Sequence, residues 1–123
     1  MMMKLLLVDD DAFLRDMYAL KFKESGYEVD VADGASEALR LLEKDQKYDV
    51  ILLDMVMPTM TGVELMNEIN DLFPDIASKF IVLSNQGQSE DIQEAKSAGA
   101  IGYIIKAEAI PSDVVKRVEE LST

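Results

Sequence analysis

Five short apolar runs, separated at even intervals by amphipathic helical patterns, constrain the fold of this chain more than any other feature. Most of the runs are apolar on both faces and rich in Val and Ile, which is typical of buried parallel strands. The second run alternates apolar and polar residues, as an edge strand with one solvent-facing side does. The runs cover Lys4–Val8, Tyr27–Ala32, Asp49–Leu53, Phe80–Leu83 and Ile101–Ile105.

Five helices are predicted between and after these runs. Residues with capping chemistry mark their ends: Asp11 precedes the first, Gly26 ends it, and Thr61-Gly-Val-Glu64 reads as a capping box that opens the third. The predicted helices are Ala12–Glu24, Ala35–Asp45, a third that runs to Leu72, Ser89–Ala98 and a fifth that begins at Pro111. In the fourth helix, Ile92 and Ala95 are expected to be buried.

Alternating strands and helices predict an α/β fold made of one domain over residues 1–123. We expect a doubly wound, flavodoxin-like (βα)5 architecture, with a five-stranded parallel sheet in the order 2-1-3-4-5 and helices on both faces. In such sheets, ligands bind at the carboxyl ends of the strands, where the winding direction reverses. The residues that follow each strand are therefore the candidate functional residues.

Polar side chains end four of the five apolar runs abruptly. Asp9-Asp10-Asp11 follows the first, Asp54 the third, Ser84 the fourth and Lys106 the fifth. In the predicted order these four strand ends are neighbours, because the second strand lies at the outer edge. At about 4.8 Å between strands, the acidic side chains come within reach of one another, and the long Lys106 side chain can reach back to them.

Composition narrows the chemistry of this site. The chain has no Cys and no His, which excludes disulfides, the usual zinc sites and His-dependent nucleophiles. Its net charge of −12 argues against nucleic-acid binding and against anionic membranes. An all-oxygen acidic site favours a hard cation, and Mg²⁺ in particular. Carboxylates, Mg²⁺, a Lys cation and a hydroxyl together indicate phosphoryl transfer, with the central carboxylate as the nucleophile.

The sequence resembles the response-regulator receiver domains of two-component signalling, of the chemotaxis-regulator type. The resemblance covers essentially the whole chain and rests on five pieces in order. They are Val8-Asp9-Asp10, Asp49–Pro58 with Asp54 inside it, Thr61-Gly62, Ser84, and Gly99-Ala100 through Gly102-Tyr103 to Lys106. Such a domain is not an enzyme in the ordinary sense, since it assists only its own phosphorylation and dephosphorylation.

The resemblance implies a role for the acidic residues Asp9, Asp10 and Asp54. Asp54 would accept a phosphoryl group from the phosphohistidine of a sensor histidine kinase or a phosphotransfer protein. Asp10 would bind Mg²⁺ directly and Asp9 partly through water. Asp54 and the backbone carbonyl of Val56 would complete the protein ligands of the metal.

The resemblance also implies how phosphorylation changes the conformation of a surface outside the site. Lys106 would pair with the carboxylate and then with the phosphoryl oxygens, and Ser84 would donate a hydrogen bond to the phosphoryl group. Tyr103 would swing inward as Ser84 moves, which switches the surface of the fourth helix, fifth strand and fifth helix. That surface would then meet a downstream partner, an output domain, or a second copy in a phosphorylation-dependent homodimer.

Two departures from the family pattern lie beside the site. The family often has a cis Lys-Pro bond after the fifth strand, whereas this chain has Lys106-Ala107. A trans bond is expected here, because a cis bond before a residue other than Pro costs about 3 kcal/mol. Asn85 follows Ser84 where Ala or Gly is common, and its larger side chain would narrow the approach to the pocket.

Two alternative functions remain open at this point. A haloacid-dehalogenase-like phosphohydrolase would use Asp9 as its nucleophile, since an apolar strand followed by Asp-x-Asp fits that class, although Asp54 and the segment after it would then have no role. A pseudo-receiver would bind partners without being phosphorylated. The chain has no run near the ~20 apolar residues of a membrane span, and a cytoplasmic location is expected.

Overall fold

The computed structural model of this protein describes residues 2–123, so Met1, the first residue of the expected domain, lies outside the described part. Strands and helices alternate along the chain, as the pattern predicts. The elements are β1 (Lys4–Val8), α1 (Ala12–Glu24), β2 (Glu28–Ala32), α2 (Ala35–Lys44), β3 (Val50–Leu53), α3 (Gly62–Leu72), β4 (Lys79–Ser84), α4 (Ser89–Ser97), β5 (Ala100–Ile105) and α5 (Pro111–Ser122). A single 3-10 turn, Lys106–Glu108, follows β5.

The five strands form one parallel sheet in the order β2-β1-β3-β4-β5, which confirms the predicted topology. Alternate residues of each strand point to opposite faces, so the sheet has an apolar core on each side. Leu6 and Ile51 belong to the core covered by α2, α3 and α4, whereas Leu5 and Val50 belong to the core covered by α1 and α5. None of the helices described is long and apolar enough to cross a membrane.

The predicted caps set where the helices begin. Asp11 accepts a hydrogen bond from the backbone N–H of Leu14 at 3.0 Å and so caps α1. Thr61 and Glu64 form the predicted capping box at the start of α3. Asp11 closely follows β1, and the N–H of Gly62 bonds the carbonyl of Met55 just after β3, so α1 and α3 both begin beside the carboxyl edge of the sheet.

The structure differs from the sequence-based expectations in small details. Several element ends move by one residue; β2 begins at Glu28, for example, because Tyr27 lies before the first paired residue. Ile92 was expected to be buried but is only half-buried. The short helix α4 buries Ala95 alone among its nine residues.

Candidate functional site

Three polar residues are buried in the part of the chain that the structure describes, and all three lie at the carboxyl edge of the sheet. Asp9 is 1% exposed, Asp54 8% and Ser84 1%. They follow or end the neighbouring strands β1, β3 and β4. Burying polar groups is unfavourable unless they have partners, so their convergence at one edge marks the site.

Asp9 is held from several directions. Its backbone N–H donates to the carbonyl of Ala32 at the end of β2, at 3.1 Å. Its Oδ1 accepts from the backbone N–H of Asp11 at 2.9 Å, and its backbone carbonyl accepts from the Arg15 guanidinium at 3.0 Å. These bonds leave Oδ2 directed to other partners within the pocket.

Asp54 is held by its own loop and by the start of α3. Its Oδ1 accepts from the backbone N–H of Val56 at 3.1 Å. Gly62, the first residue of α3, donates its N–H to the Met55 carbonyl at 2.9 Å. A Cβ at Gly62 would lie 2.4 Å from the Asp54 carbonyl oxygen, so only glycine allows α3 to begin this close to the acidic residue.

Lys106 joins the two buried carboxylates. Its Nζ lies 2.7 Å from Asp9 Oδ2 and 2.8 Å from Asp54 Oδ2, and the Lys106 side chain is 7% exposed. Burial lowers the pKa of Lys106, but the hydrogen bonds that it donates to Asp54 and Asp9, together with their negative charges, outweigh burial, so its pKa lies above the ordinary lysine value. The ammonium therefore stays charged and compensates part of the charge of the two carboxylates.

Asp10 completes a group of three carboxylates. One oxygen from each of Asp9, Asp10 and Asp54 lies within 4.8 Å of the others, and Asp10 is exposed to solvent. With Lys106 included, the formal charge of the group is −2, which one divalent cation would neutralise. Oxygen ligands from carboxylates, with an open side for water, fit Mg²⁺. The residues present therefore suit the predicted ion.

Ser84 and Tyr103 are linked through the backbone of Gln86. Ser84 Oγ accepts from the Gln86 N–H at 3.2 Å, and the Tyr103 hydroxyl donates to the Gln86 carbonyl. The pKa of Tyr103 is raised, chiefly because its ring is buried. A hydroxyl that accepts one bond still has its proton to donate, so Ser84 retains a donor for a ligand in the pocket.

The structure brings together Asp9, Asp10, Asp54 and Lys106 as the sequence predicts, and it places Ser84 at the neighbouring strand end. Val56 is 55% exposed at the rim, and the predicted role of its carbonyl stays a prediction. No cis peptide bond occurs among residues 2–123, so the expected trans Lys106-Ala107 bond is confirmed. Asn85 is exposed.

Sequence reasoning missed one contributor to this site, Arg15. Its guanidinium reaches the Asp9 carbonyl from the first turns of α1. The position of Arg15 in the sequence could have indicated this contact. Helical side chains lean toward the N-terminus of their helix, and Arg15 lies four residues after the cap Asp11.

Comparison with known proteins agrees with this geometry. Residues 5–119 match the family model described as the response regulator receiver domain. The chain is 36% identical over 121 residues to the chemotaxis protein CheY of Thermotoga maritima, and the aligned region covers 97% of each of the two chains. It is 34% identical over 119 residues to the transcriptional regulatory protein ResD of Bacillus subtilis, but it spans only 47% of that protein.

Solved structures of receiver domains are also similar to this chain. The chemotaxis protein CheY4 of Vibrio cholerae superimposes with a TM-score of 0.89 at 31% identity, and the match covers 98% of this chain and 99% of that one. A CheY-like receiver domain protein from Methanospirillum hungatei superimposes with a TM-score of 0.86 at 30% identity, covering 98% of this chain and 93% of that chain.

Proposed function

This chain belongs to the response regulator receiver domain family, and on that premise we propose that it accepts a phosphoryl group on Asp54 in the presence of Mg²⁺. The observation that carries the proposal is the Lys106 ammonium, which bonds both Asp54 and Asp9 beside a third carboxylate. A sensor histidine kinase or phosphotransfer protein would supply the phosphoryl group. The predicted cytoplasmic location and the one-domain organisation stay predictions.

The chemistry assigns a task to each residue. Asp54 Oδ attacks phosphorus, and the bond between phosphorus and the donor breaks in the same in-line displacement, which leaves an acyl phosphate on Asp54. Asp9, Asp10 and Asp54 would hold the metal, which would supply positive charge beside the transferring group. Lys106, which already bonds the Asp54 carboxylate, and Ser84, at the end of the neighbouring strand β4, would donate hydrogen bonds to the phosphoryl oxygens, and neither would give up its proton.

Phosphorylation of the isolated protein tests this function. Acetyl phosphate with millimolar Mg²⁺ should add one phosphoryl group per chain, as measured by intact mass. The hydrolase alternative predicts an intermediate on Asp9 instead, and the pseudo-receiver alternative predicts no addition. Family membership over residues 5–119 favours the receiver over the hydrolase.

Mg²⁺ should raise the melting temperature of the protein, because an ion that binds only the folded state stabilises it by linkage. At a concentration of about 100 times Kd, the gain in unfolding free energy is about 2.7 kcal/mol. Asp10→Asn should lose most of this gain, since it removes the exposed carboxylate of the group. Thermal melts with Mg²⁺ and with EDTA measure the effect, and equal melting temperatures in the wild type would contradict the metal site.

We propose that the phosphodonor protein docks on an apolar stripe of α1 next to the pocket. Phe13 and Leu20 are 76% and 60% exposed, and half-buried Met17 lies between them at helical spacing. A shallow cavity of about 290 Å³ lies between α1 and the first turn of α5, where Met17 and Leu20 face Pro111. Ile110, directly before Pro111, is 63% exposed. Large exposed apolar side chains in one patch are typical of a protein-binding surface.

Leu20→Glu should slow phosphorylation by a phosphohistidine donor protein that phosphorylates the wild type, while leaving phosphorylation by acetyl phosphate unchanged. A loss of about tenfold in kcat/KM corresponds to about 1.4 kcal/mol of binding energy at the transition state. Leu72→Glu is the matched control, because Leu72 is 53% exposed at the end of α3. An equal loss with both variants would argue against this docking surface.

The conformational change caused by phosphorylation would pass from the pocket through Ser84, Gln86 and Tyr103. When Ser84 turns to the phosphoryl group, it would give up its bond to the Gln86 N–H, and Gln86, whose carbonyl accepts from the Tyr103 hydroxyl, would be free to move. Tyr103 lies in β5, so the change reaches the surface of α4, β5 and α5. This surface would bind the downstream partner, an output domain or a second copy of the chain, through a shift between two existing conformations.

Val56→Asn should shorten the lifetime of the phosphorylated protein severalfold. Hydrolysis needs a water molecule in line with the bond between phosphorus and Asp54. The exposed side chain of Val56, two residues after Asp54, cannot form a hydrogen bond to orient such a water. Asparagine offers both a donor and an acceptor. The rate of loss of the phosphoryl group, followed by intact mass after removal of acetyl phosphate, measures this. An unchanged or slower rate in the variant would refute the explanation.

A further inference from the structure

Arg15 on α1 donates through Nη1 to the backbone carbonyl of Asp9, at 3.0 Å. The Asp9 residue is 1% exposed, so this carbonyl has little access to water. It lies between two regular elements: β1 ends at Val8, and the first hydrogen bond of α1 goes to the Asp11 carbonyl, from the Arg15 N–H at 2.8 Å. Among residues 2–123, Arg15 is the donor that satisfies the Asp9 carbonyl.

The Asp9 carbonyl and the Asp10 N–H belong to one planar peptide unit. Arg15 supplies the hydrogen bond that fixes the orientation of this plane, since the other bonds of Asp9 involve its own N–H and its side chain. Asp10 is exposed, and its carboxylate makes no ion pair within the described residues. The direction of the Asp10 side chain therefore depends on this backbone turn.

We propose that Arg15 is a positioning residue for the metal site, one that orients Asp10 by holding the peptide plane between Asp9 and Asp10. Arg15 itself contacts neither the ion nor the phosphoryl group in this arrangement. The inference rests on the proposed Mg²⁺ site. Outer partners that orient metal ligands commonly contribute about 10–100-fold to metal affinity.

Charge and positioning predict opposite effects when Arg15 is removed. If Arg15 acted only through its charge, its loss would tighten binding of Mg²⁺, because a cation near the pocket would be gone. If Arg15 positions Asp10, its loss weakens binding. The sign of the change in Mg²⁺ affinity therefore distinguishes the two roles.

The experiment compares Arg15→Met, Arg15→Lys and Arg40→Met with the wild type. Met keeps the unbranched stem and suits a helix, whereas Lys keeps both the stem and a donor. Arg40→Met removes one guanidinium from the exposed surface of α2 and serves as the charge-matched control. The Mg²⁺ dissociation constant is measured by titration of backbone amide NMR shifts. Exchange of the Asp11 amide, which donates to Asp9 Oδ1, is measured without metal.

Arg15→Met is expected to weaken Mg²⁺ binding about tenfold and to speed exchange of the Asp11 amide. Arg15→Lys should restore most of the affinity, and Arg40→Met should bind as the wild type does or slightly more tightly. Unchanged or tighter binding by Arg15→Met, with wild-type binding intact, would overturn the inference alone. Failure of the wild type itself to bind Mg²⁺ would overturn the proposed function beneath it.

Discussion

Asp54→Asn should abolish phosphorylation by acetyl phosphate, from one phosphoryl group per chain in the wild type to none detectable. The amide has nearly the shape of the carboxylate, so its oxygen can still accept from the Val56 N–H and the fold should persist. It has no anionic oxygen to attack phosphorus, and it removes one of the three carboxylates near the metal. Intact mass after incubation with acetyl phosphate and Mg²⁺ gives the result.

Asp11→Asn is the matched control for this experiment. It also removes one carboxylate at the same edge of the sheet, but Asp11 caps α1 rather than joining the acidic group, and Asn caps helices equally well. This variant should be phosphorylated like the wild type. A phosphoryl group that persists in Asp54→Asn, located on Asp9 by peptide mapping, would mean that the protein acts as the hydrolase alternative predicts.

Lys106→Ala should lower the free energy of unfolding of the metal-free protein by about 3 kcal/mol. The variant leaves the carboxylates of Asp9 and Asp54 buried without their shared cation. Mg²⁺ should recover part of this loss, because the ion supplies the missing positive charge. Some phosphorylation should remain, while the conformational response is weakened. Urea unfolding with Mg²⁺ and with EDTA measures the stability.

Lys4→Ala is the control for the removal of a lysine. Lys4 makes an ion pair of the same length, 2.7 Å, with Asp45, but the Asp45 side chain is 38% exposed. Such exposed pairs contribute little to stability, because water screens them. If Lys106→Ala were no less stable than Lys4→Ala without metal, the buried bridge would not be compensating the two carboxylates.

The pH dependence of this bridge follows from the raised pKa of Lys106. A lysine whose pKa is higher in the folded state stabilises the fold fully below its unfolded pKa of about 10.4. The contribution is lost as the pH rises through the higher folded pKa. From neutral pH upward, the difference in stability between wild type and Lys106→Ala should therefore stay constant until strong alkali, where it should shrink.

Most of the fold was predictable from the sequence, for identifiable reasons. Apolar runs on both faces of β1 and β3 indicate a parallel sheet covered on two sides, and the caps Asp11 and Thr61 mark helix starts through local hydrogen bonds. The position of Asp54 directly after an apolar run placed it at the edge where ligands bind. These signals are local in sequence, or depend on a topology with few alternatives.

The element order, the sheet topology and the set of residues at the binding edge therefore follow from the sequence. Beyond the pair of Lys106 with Asp54, which the family resemblance implies, the contacts among these residues follow only from the tertiary structure. Lys106 bonds Asp9 as well as Asp54 across 97 and 52 residues of chain, and Arg15 holds a backbone carbonyl rather than a carboxylate. The physical reason is that these contacts depend on the path of a turn and on the rotamers of long side chains. Local periodicity encodes neither of them, and both are fixed only when the strand ends pack together.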